Sequence, residues 1–291
     1  MLNRPMITYR TSIALAMISF LYIPVLAENP DARVRQLAFV SEEYLTLSIG
    51  KYDPGEGWLQ STDYYTTLLS SETFTLFGVH GRMGEISLVG THREDSWIEP
   101  VLWSAKTNRG PAADPPFALA VRGSWPEERG ARDIPLENAD AERIARDYLR
   151  RRGLRVENPL LTQAYQADLL GDGRLETLVC AHSDPSALKD DQAGDVYAVS
   201  LLNFGPAGSE KTIALRSQTS HKPAAQTREV HEGFYGKRDF LRVIACHDID
   251  GEGRQEIVLY AAQDDATQID VFTFDGHTIK KVLSAFKHHY N

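Results

Sequence analysis

Apolar and polar positions alternate in short runs along most of this chain, the two-residue period of half-buried β-strands. From Phe39 to Val121 such runs follow one another. Thr73–Phe77 and Glu85–Val89 flank His80-Gly81-Arg82-Met83-Gly84, a hairpin with a glycine-rich turn. Trp97–Trp103 and Phe117–Val121 are further apolar runs, separated by a loop rich in proline and glycine. One segment, 138–153, follows a different period. Ala141, Ile144, Ala145, Tyr148 and Leu149 recur at i, i+3, i+4, i+7 and i+8 and mark one face of an amphipathic helix. Asn138 or Asp140 can cap its start, acids open it, and Arg150-Arg151-Arg152 close it before Gly153, in the order the helix dipole favours. The pattern predicts a mainly β protein of short antiparallel, blade-like sheets with one helix.

After the helix the chain repeats itself. Leu161–Asp184 aligned with Leu241–Asp264, at a fixed offset of 80, gives eight identities in 24 positions. Five fall within two nonapeptides, Asp168-Leu-Leu-Gly-Asp-Gly-Arg-Leu-Glu176 and Asp248-Ile-Asp-Gly-Glu-Gly-Arg-Gln-Glu256. Apolar runs enter and leave each nonapeptide, and a hairpin follows each: Val196–Leu202 with Thr212–Leu215, and Asp270–Phe274 with Thr278–Leu283 across Asp275-Gly276. Each unit therefore reads strand, acidic loop, strand, strand, turn, strand, the anatomy of a four-stranded blade. The expected organisation is a leader over 1–27, a β-rich region over 28–137, a connecting helix over 138–154, and two repeat units over 155–291, about 155–217 and 239–286.

The nonapeptide pattern suits a hard cation. Oxygen ligands at positions one, three, five and nine, with a backbone carbonyl at seven, can wrap calcium at about 2.3–2.6 Å. Glycine at four and six supplies the tight curvature. The candidate ligands are Asp168, Asp172 and Glu176 in the first loop, and Asp248, Asp250, Glu252 and Glu256 in the second. These loops resemble the FG-GAP or VCBS-type repeat, whose Asp-x-Asn/Asp-x-Asp-Gly loops bind calcium in the β-propeller heads of integrin α chains. The resemblance covers the C-terminal half and implies bound calcium and blade-like units. The chain departs from that pattern at Leu170, which cannot ligate, at Glu252, one methylene longer than Asp, and at position nine, which is Glu. The acids can instead form turns to the loop amides and hold no ion. Two units do not close a propeller of four to eight blades, so either the N-terminal strands complete the architecture or the units form a twin domain.

The 291 residues hold 31 Lys+Arg against 40 Asp+Glu, a net charge of −9. That excess argues against nucleic acid or anionic membrane as the main partner. Arg4 and Arg10, the uncharged run Thr11–Leu26 and the small residues of Val25-Leu26-Ala27 follow the grammar of a cleaved secretory leader, which predicts a secreted or periplasmic protein. No later segment is long and apolar enough to span a membrane. In an oxidising compartment the only two cysteines, Cys180 and Cys246, are expected to form a disulfide, the alternative being two buried thiols. A zinc site from Cys180, His182, Cys246 and His247 is disfavoured, because neighbours on a strand point to opposite faces.

Catalytic signatures are lacking. There is no G-x-S-x-G, H-E-x-x-H or phosphate loop, and Ser186–Lys189 matches S-x-x-K without its companion motifs. The four tryptophans fall in the N-terminal half, where core packing explains them more simply than a sugar platform. Gln218–Lys237, with His221, Arg228, His231, Phe234 and Tyr235, is a polar stretch between the units suited to docking. The expectation is a secreted, β-rich, calcium-associated binding or structural module with a protein or glycan partner. The alternative is a secreted hydrolase whose acidic catalytic residues carry no recognisable spacing.

Overall fold

The computed structural model describes residues 34–40, 46–60, 73–90, 101–107, 118–123, 129–183, 194–222, 240–263 and 266–288. The proposed leader, Trp97, Trp125, Ser186, Arg228, His231, Phe234, Tyr235 and His289 lie outside them. Among the described residues the fold is mainly β, with three antiparallel sheets and one helix. The first sheet is built from β1 (Arg35–Val40), β2 (Thr46–Asp53), β3 (Gly57–Gln60), β4 (Thr73–Gly78), β5 (Gly81–Gly90), β6 (Val101–Thr107) and β7 (Ala118–Arg122). Its order is β3-β2-β1-β7-β4-β5-β6, so β7 returns between β1 and β4.

The short β8 (Arg132–Asp133) and helix α1 (Ala139–Arg151) follow, then β9 (Leu161–Ala167), β10 (Glu176–His182), β11 (Gly194–Phe204) and β12 (Lys211–Lys222). Strands β9 to β12 form a meander, and β8 adds to its β9 edge as a fifth strand. The third sheet is the meander β13 (Phe240–His247), β14 (Glu256–Gln263), β15 (Ala266–Phe274) and β16 (Ile279–His288). Both repeat units thus have the expected strand order. None of the three sheets closes into a propeller.

Strand alternation stacks these elements into layers. On β10, Leu178 and Cys180 face the third sheet, while Val179 and Ala181 face α1. On β14, Ile257 and Leu259 meet the second sheet, and Val258 meets Leu37, Phe39 and Phe77 of the first. The order is therefore α1, second sheet, third sheet, first sheet, with the third apolar on both faces, as a sandwiched sheet must be. Leu178 and Val258 are equivalent across the repeat, and their ladder partners are Leu202 and Val271. Leu178 and Leu202 look toward the third sheet, Val258 and Val271 toward the first. The first unit meets the second by the same face the second turns on the first sheet, so the layers stack head to tail like consecutive blades.

Helix α1 is a lid on this stack rather than only a connection. Asn138 Oδ1 accepts the N–H groups of Asp140 (3.0 Å) and Ala141 (3.1 Å), which satisfies donors the first turn leaves open. All five residues of the predicted apolar stripe are buried, packed on Leu161, Val179, Val199 and Leu201. Arg150 and Arg151 stand exposed in the last turn and Arg152 is the C-cap.

Glutamines bind the layers across their edges. The Gln163 side chain of β9 donates to Val243 O (3.3 Å) and accepts Val243 N–H (2.7 Å), filling both backbone positions of one β13 residue. Gln60 of β3 does the same to Ser284 of β16, accepting its N–H at 3.0 Å and donating to its carbonyl. On β15 the buried Asp270 accepts from Ser284 Oγ (2.6 Å) and Gln268 Nε2 (2.9 Å), with Lys281 Nζ at 3.4 Å and Arg216 of the second sheet at 3.9 Å.

Candidate metal centre

Both acidic loops lie between the first and second strands of their units, and both curl as the glycine pattern predicts. Gly171 and Gly173 have φ of +70° and +84°, and Gly251 and Gly253 of +78° and +83°, the left-handed region that glycine enters without strain. Position one fixes the curl. Asp168 accepts N–H groups from Asp172 (3.0 Å) and Gly173 (3.1 Å), and Asp248 accepts from Gly251 (2.7 Å) and Gly253 (2.9 Å). Position nine closes it. The buried Glu176 accepts Leu169 N–H (2.9 Å), and the buried Glu256 accepts Ile249 N–H (2.7 Å) and Asp250 N–H (3.3 Å).

Position three separates the two loops. In the second, Asp248, Asp250 and Glu256 each bring one carboxylate oxygen within 4.8 Å of the others. Oxygens that share one calcium at about 2.4 Å lie no more than about 4.8 Å apart, so the triad has the span of a single coordination sphere. Among the described residues, Asp168, Asp172 and Glu176 make no such group. The first loop has Leu170 at position three, and that side chain packs toward Gly276 in the β15–β16 turn of the second unit. Asp172 and Glu252 at position five are exposed and stand outside the triad.

Electrostatics follow the same division. Burial, then the charge of Asp250, raises the Glu256 carboxyl well above the usual carboxylate range. Burial also raises Asp250 and, in the first loop, Glu176. Confined carboxylates of this kind hold their charge at a cost that a cation offsets.

The two loops touch. Gln255 N–H donates to Leu169 O at 2.8 Å, and the Gln255 side chain donates to Arg129 O. A Cβ on Gly171 would sit 2.5 Å from Gly253 O and 2.4 Å from Arg129 Nη1. Residues distant in sequence complete the surroundings. Arg129 stands 3.8 Å from Asp168, and Arg35 of β1 donates to Ile249 O beside Gly251. Tyr52 of β2 feels the charges of Asp250 and Glu252 after a larger effect of burial, and both raise its pKa. The loop composition carries no signal of the three distant partners, Arg35, Tyr52 and Arg129, because sheet stacking alone brings them there.

The cysteines are two free, buried thiols. Both belong to the apolar layer between the second and third sheets, and Cys180 Sγ donates to Ser200 Oγ at 3.4 Å. Burial pushes Cys180 up to about 11 and Cys246 to about 12. His247 points the other way and stacks on Phe77 of the first sheet at 4.0 Å, where burial and then Arg35 hold its pKa down to about 4. Cys180, His182, Cys246 and His247 are not gathered, and the neighbours Cys246 and His247 point to opposite faces, as strand alternation requires.

Comparison with protein-family models, with characterised proteins and with solved structures gave no match in any of the three.

Proposed function

We propose that this protein is a β-rich, calcium-associated binding or structural module in which Asp248, Asp250 and Glu256 hold the ion. The convergence of these three carboxylates within 4.8 Å carries the reading. Calcium adds positive charge, beyond that of Arg35, beside the buried Glu256 and the partly buried Asp250, and it stiffens the loop against β1 and β2 of the first sheet. Export to the periplasm or the exterior, proposed from the character of residues 1–27, places the loop where free calcium is abundant. Among the described residues no helix is long and apolar enough to cross a membrane.

A general acid for glycoside hydrolysis needs a carboxyl kept dry in a substrate cleft. The open cleft beside α1 presents Asp133 and Asp140 with side chains 73% and 82% exposed. These solvated carboxylates favour a binding surface over an active site.

Isothermal titration of the full chain tests the reading. Calcium should bind once, in the range of about 10⁻⁴–10⁻³ M typical of extracellular modules. Asp248→Ala with Asp250→Ala should abolish the heat, and Asp168→Ala should leave it. Equal heats in all three proteins would refute the assignment.

A further inference from the structure

The joint between the repeat units is a template for what the first unit itself lacks. On the second unit, Leu169 and Leu170 of the preceding loop fill a notch between Gln255 and the β15–β16 turn. Leu169 O accepts Gln255 N–H at 2.8 Å, and Leu170 lies against Gly276. At the repeat offset of 80, Gln255 corresponds to Leu175; by strand order, the β15–β16 turn corresponds to Phe204–Glu210 between β11 and β12. The element that comes before the first unit is α1, which contributes no such loop. Its first turn stands off from the β11–β12 turn across an open cleft of about 450 Å³, within the usual size of ligand sites.

The walls of this cleft state the chemistry of an occupant. Leu175, 45% exposed, stands on the wall with Ile144 and Ala207. Asp133, with His80 Nε2 at 3.5 Å, Asp140 and Glu210 surround this apolar floor, and the one lining cation, Arg143, stands 3.3 Å from Asp140 and also acts on Glu210, which leaves the lining in acidic excess. The helix N-terminus does not call for an anion here, since Asn138 already takes two of its amides. We propose that the cleft takes a peptide segment of a partner protein in the place that Leu169 and Leu170 occupy on the second unit. That segment carries an apolar residue next to lysine or arginine. Its backbone carbonyl accepts the Leu175 N–H, its apolar side chain covers Leu175 and Ala207, and its cation meets Asp133 and Glu210. The site is separate from the carboxylate triad and does not depend on calcium.

The test is an amide NMR titration of the full, isotope-labelled chain with acetyl-Lys-Leu-Leu-Lys-amide, run once in calcium and once in a chelator. The expected result is saturable shifts at Leu175, Ala207 and Glu210 under both conditions. Leu175→Ala, and separately Asp133→Asn with Glu210→Gln, should each weaken binding by about ten-fold or more, or about 1.4 kcal/mol. Spectra unchanged away from the cleft will show that these surface variants fold. The analogue with glutamate in place of lysine should not bind. An absence of saturable shifts, shifts centred on the acidic loops, or variants that bind like the wild type would each overturn the proposal. So would concentration-dependent shifts of the same amides without peptide, which would assign the cleft to a second copy of the chain.

Discussion

Replacing Gly171 and Gly173 by alanine separates the contact between the loops from the curl within each loop. Both glycines have positive φ, at +70° and +84°, so either substitution carries the left-handed penalty of about 1–2 kcal/mol. Their surroundings differ. A Cβ at Gly173 meets nothing within 4 Å, whereas one at Gly171 lies 2.5 Å from Gly253 O and 2.4 Å from Arg129 Nη1. The arginine can swing aside, but the carbonyl belongs to the second loop. Relief therefore pushes the loops apart and strains the Gln255–Leu169 hydrogen bond. Overpacking of this kind costs about 1–3 kcal/mol beyond the backbone term. At about 2–4 °C per kcal/mol for a chain of this size, Gly173→Ala should melt about 2–8 °C below the wild type and Gly171→Ala a further ~2–12 °C below that. Thermal melts followed by circular dichroism in a calcium chelator read this difference without metal. Equal melting temperatures for the two variants would refute the packing of one loop on the other.

Three other expectations follow from the layers. Asp270→Ala removes the buried carboxylate that faces Arg216, whose side chain is only 16% exposed, and should destabilise the fold by about 3–5 kcal/mol in urea unfolding; a loss below about 1 kcal/mol would show that the cluster is not a joint. Cys180 and Cys246 should resist iodoacetamide at pH 8 in the native protein, because burial holds both thiols near 11–12. Both should be alkylated in denaturant without reductant, and a disulfide would leave neither available. Asp275 is held down to about 2 by N–H groups of Thr278 and His277 and by the Thr278 hydroxyl. Its contribution to stability is therefore fully present above the ordinary carboxylate pKa and lost as pH falls toward 2. An NMR titration of its carboxyl should show the low midpoint, and a midpoint near 4 would mean the turn is not formed.

What was legible in the sequence was local. The α1 stripe has its own period and caps. The repeat declares itself because acids and glycines within nine residues curl each loop and, in the second, bring three carboxylates together. Asp275-Gly276 marks a two-residue hairpin turn for the same reason. Leu170 in place of an acid already distinguished the loops, and in the structure that leucine packs toward Gly276 of the second unit. Long-range choices left no such mark. Nothing near β1 or β4 announces that β7 inserts between them, nor that β8 extends the second sheet from before the helix. The side chains of Gln60 and Gln163 replace strand partners 224 and 80 residues away, and any polar residue would read the same in a linear pattern. Arg35 reaches Ile249 across 214 residues for no reason visible in either segment. Stacking of the sheets sets these contacts, and stacking depends on which faces are apolar throughout.

The melting curve of the full chain tests most directly whether the second loop holds calcium, as proposed. A ligand that binds only the folded state stabilises it by mass action, about 2.7 kcal/mol at a hundred times its dissociation constant. Wild-type protein should melt at a higher temperature in excess calcium than in chelator. Asp248→Ala with Asp250→Ala should abolish most of the shift, and Asp168→Ala should retain it. If calcium leaves the wild-type curve unmoved, the carboxylates of both loops are turn-formers only and the assignment is wrong.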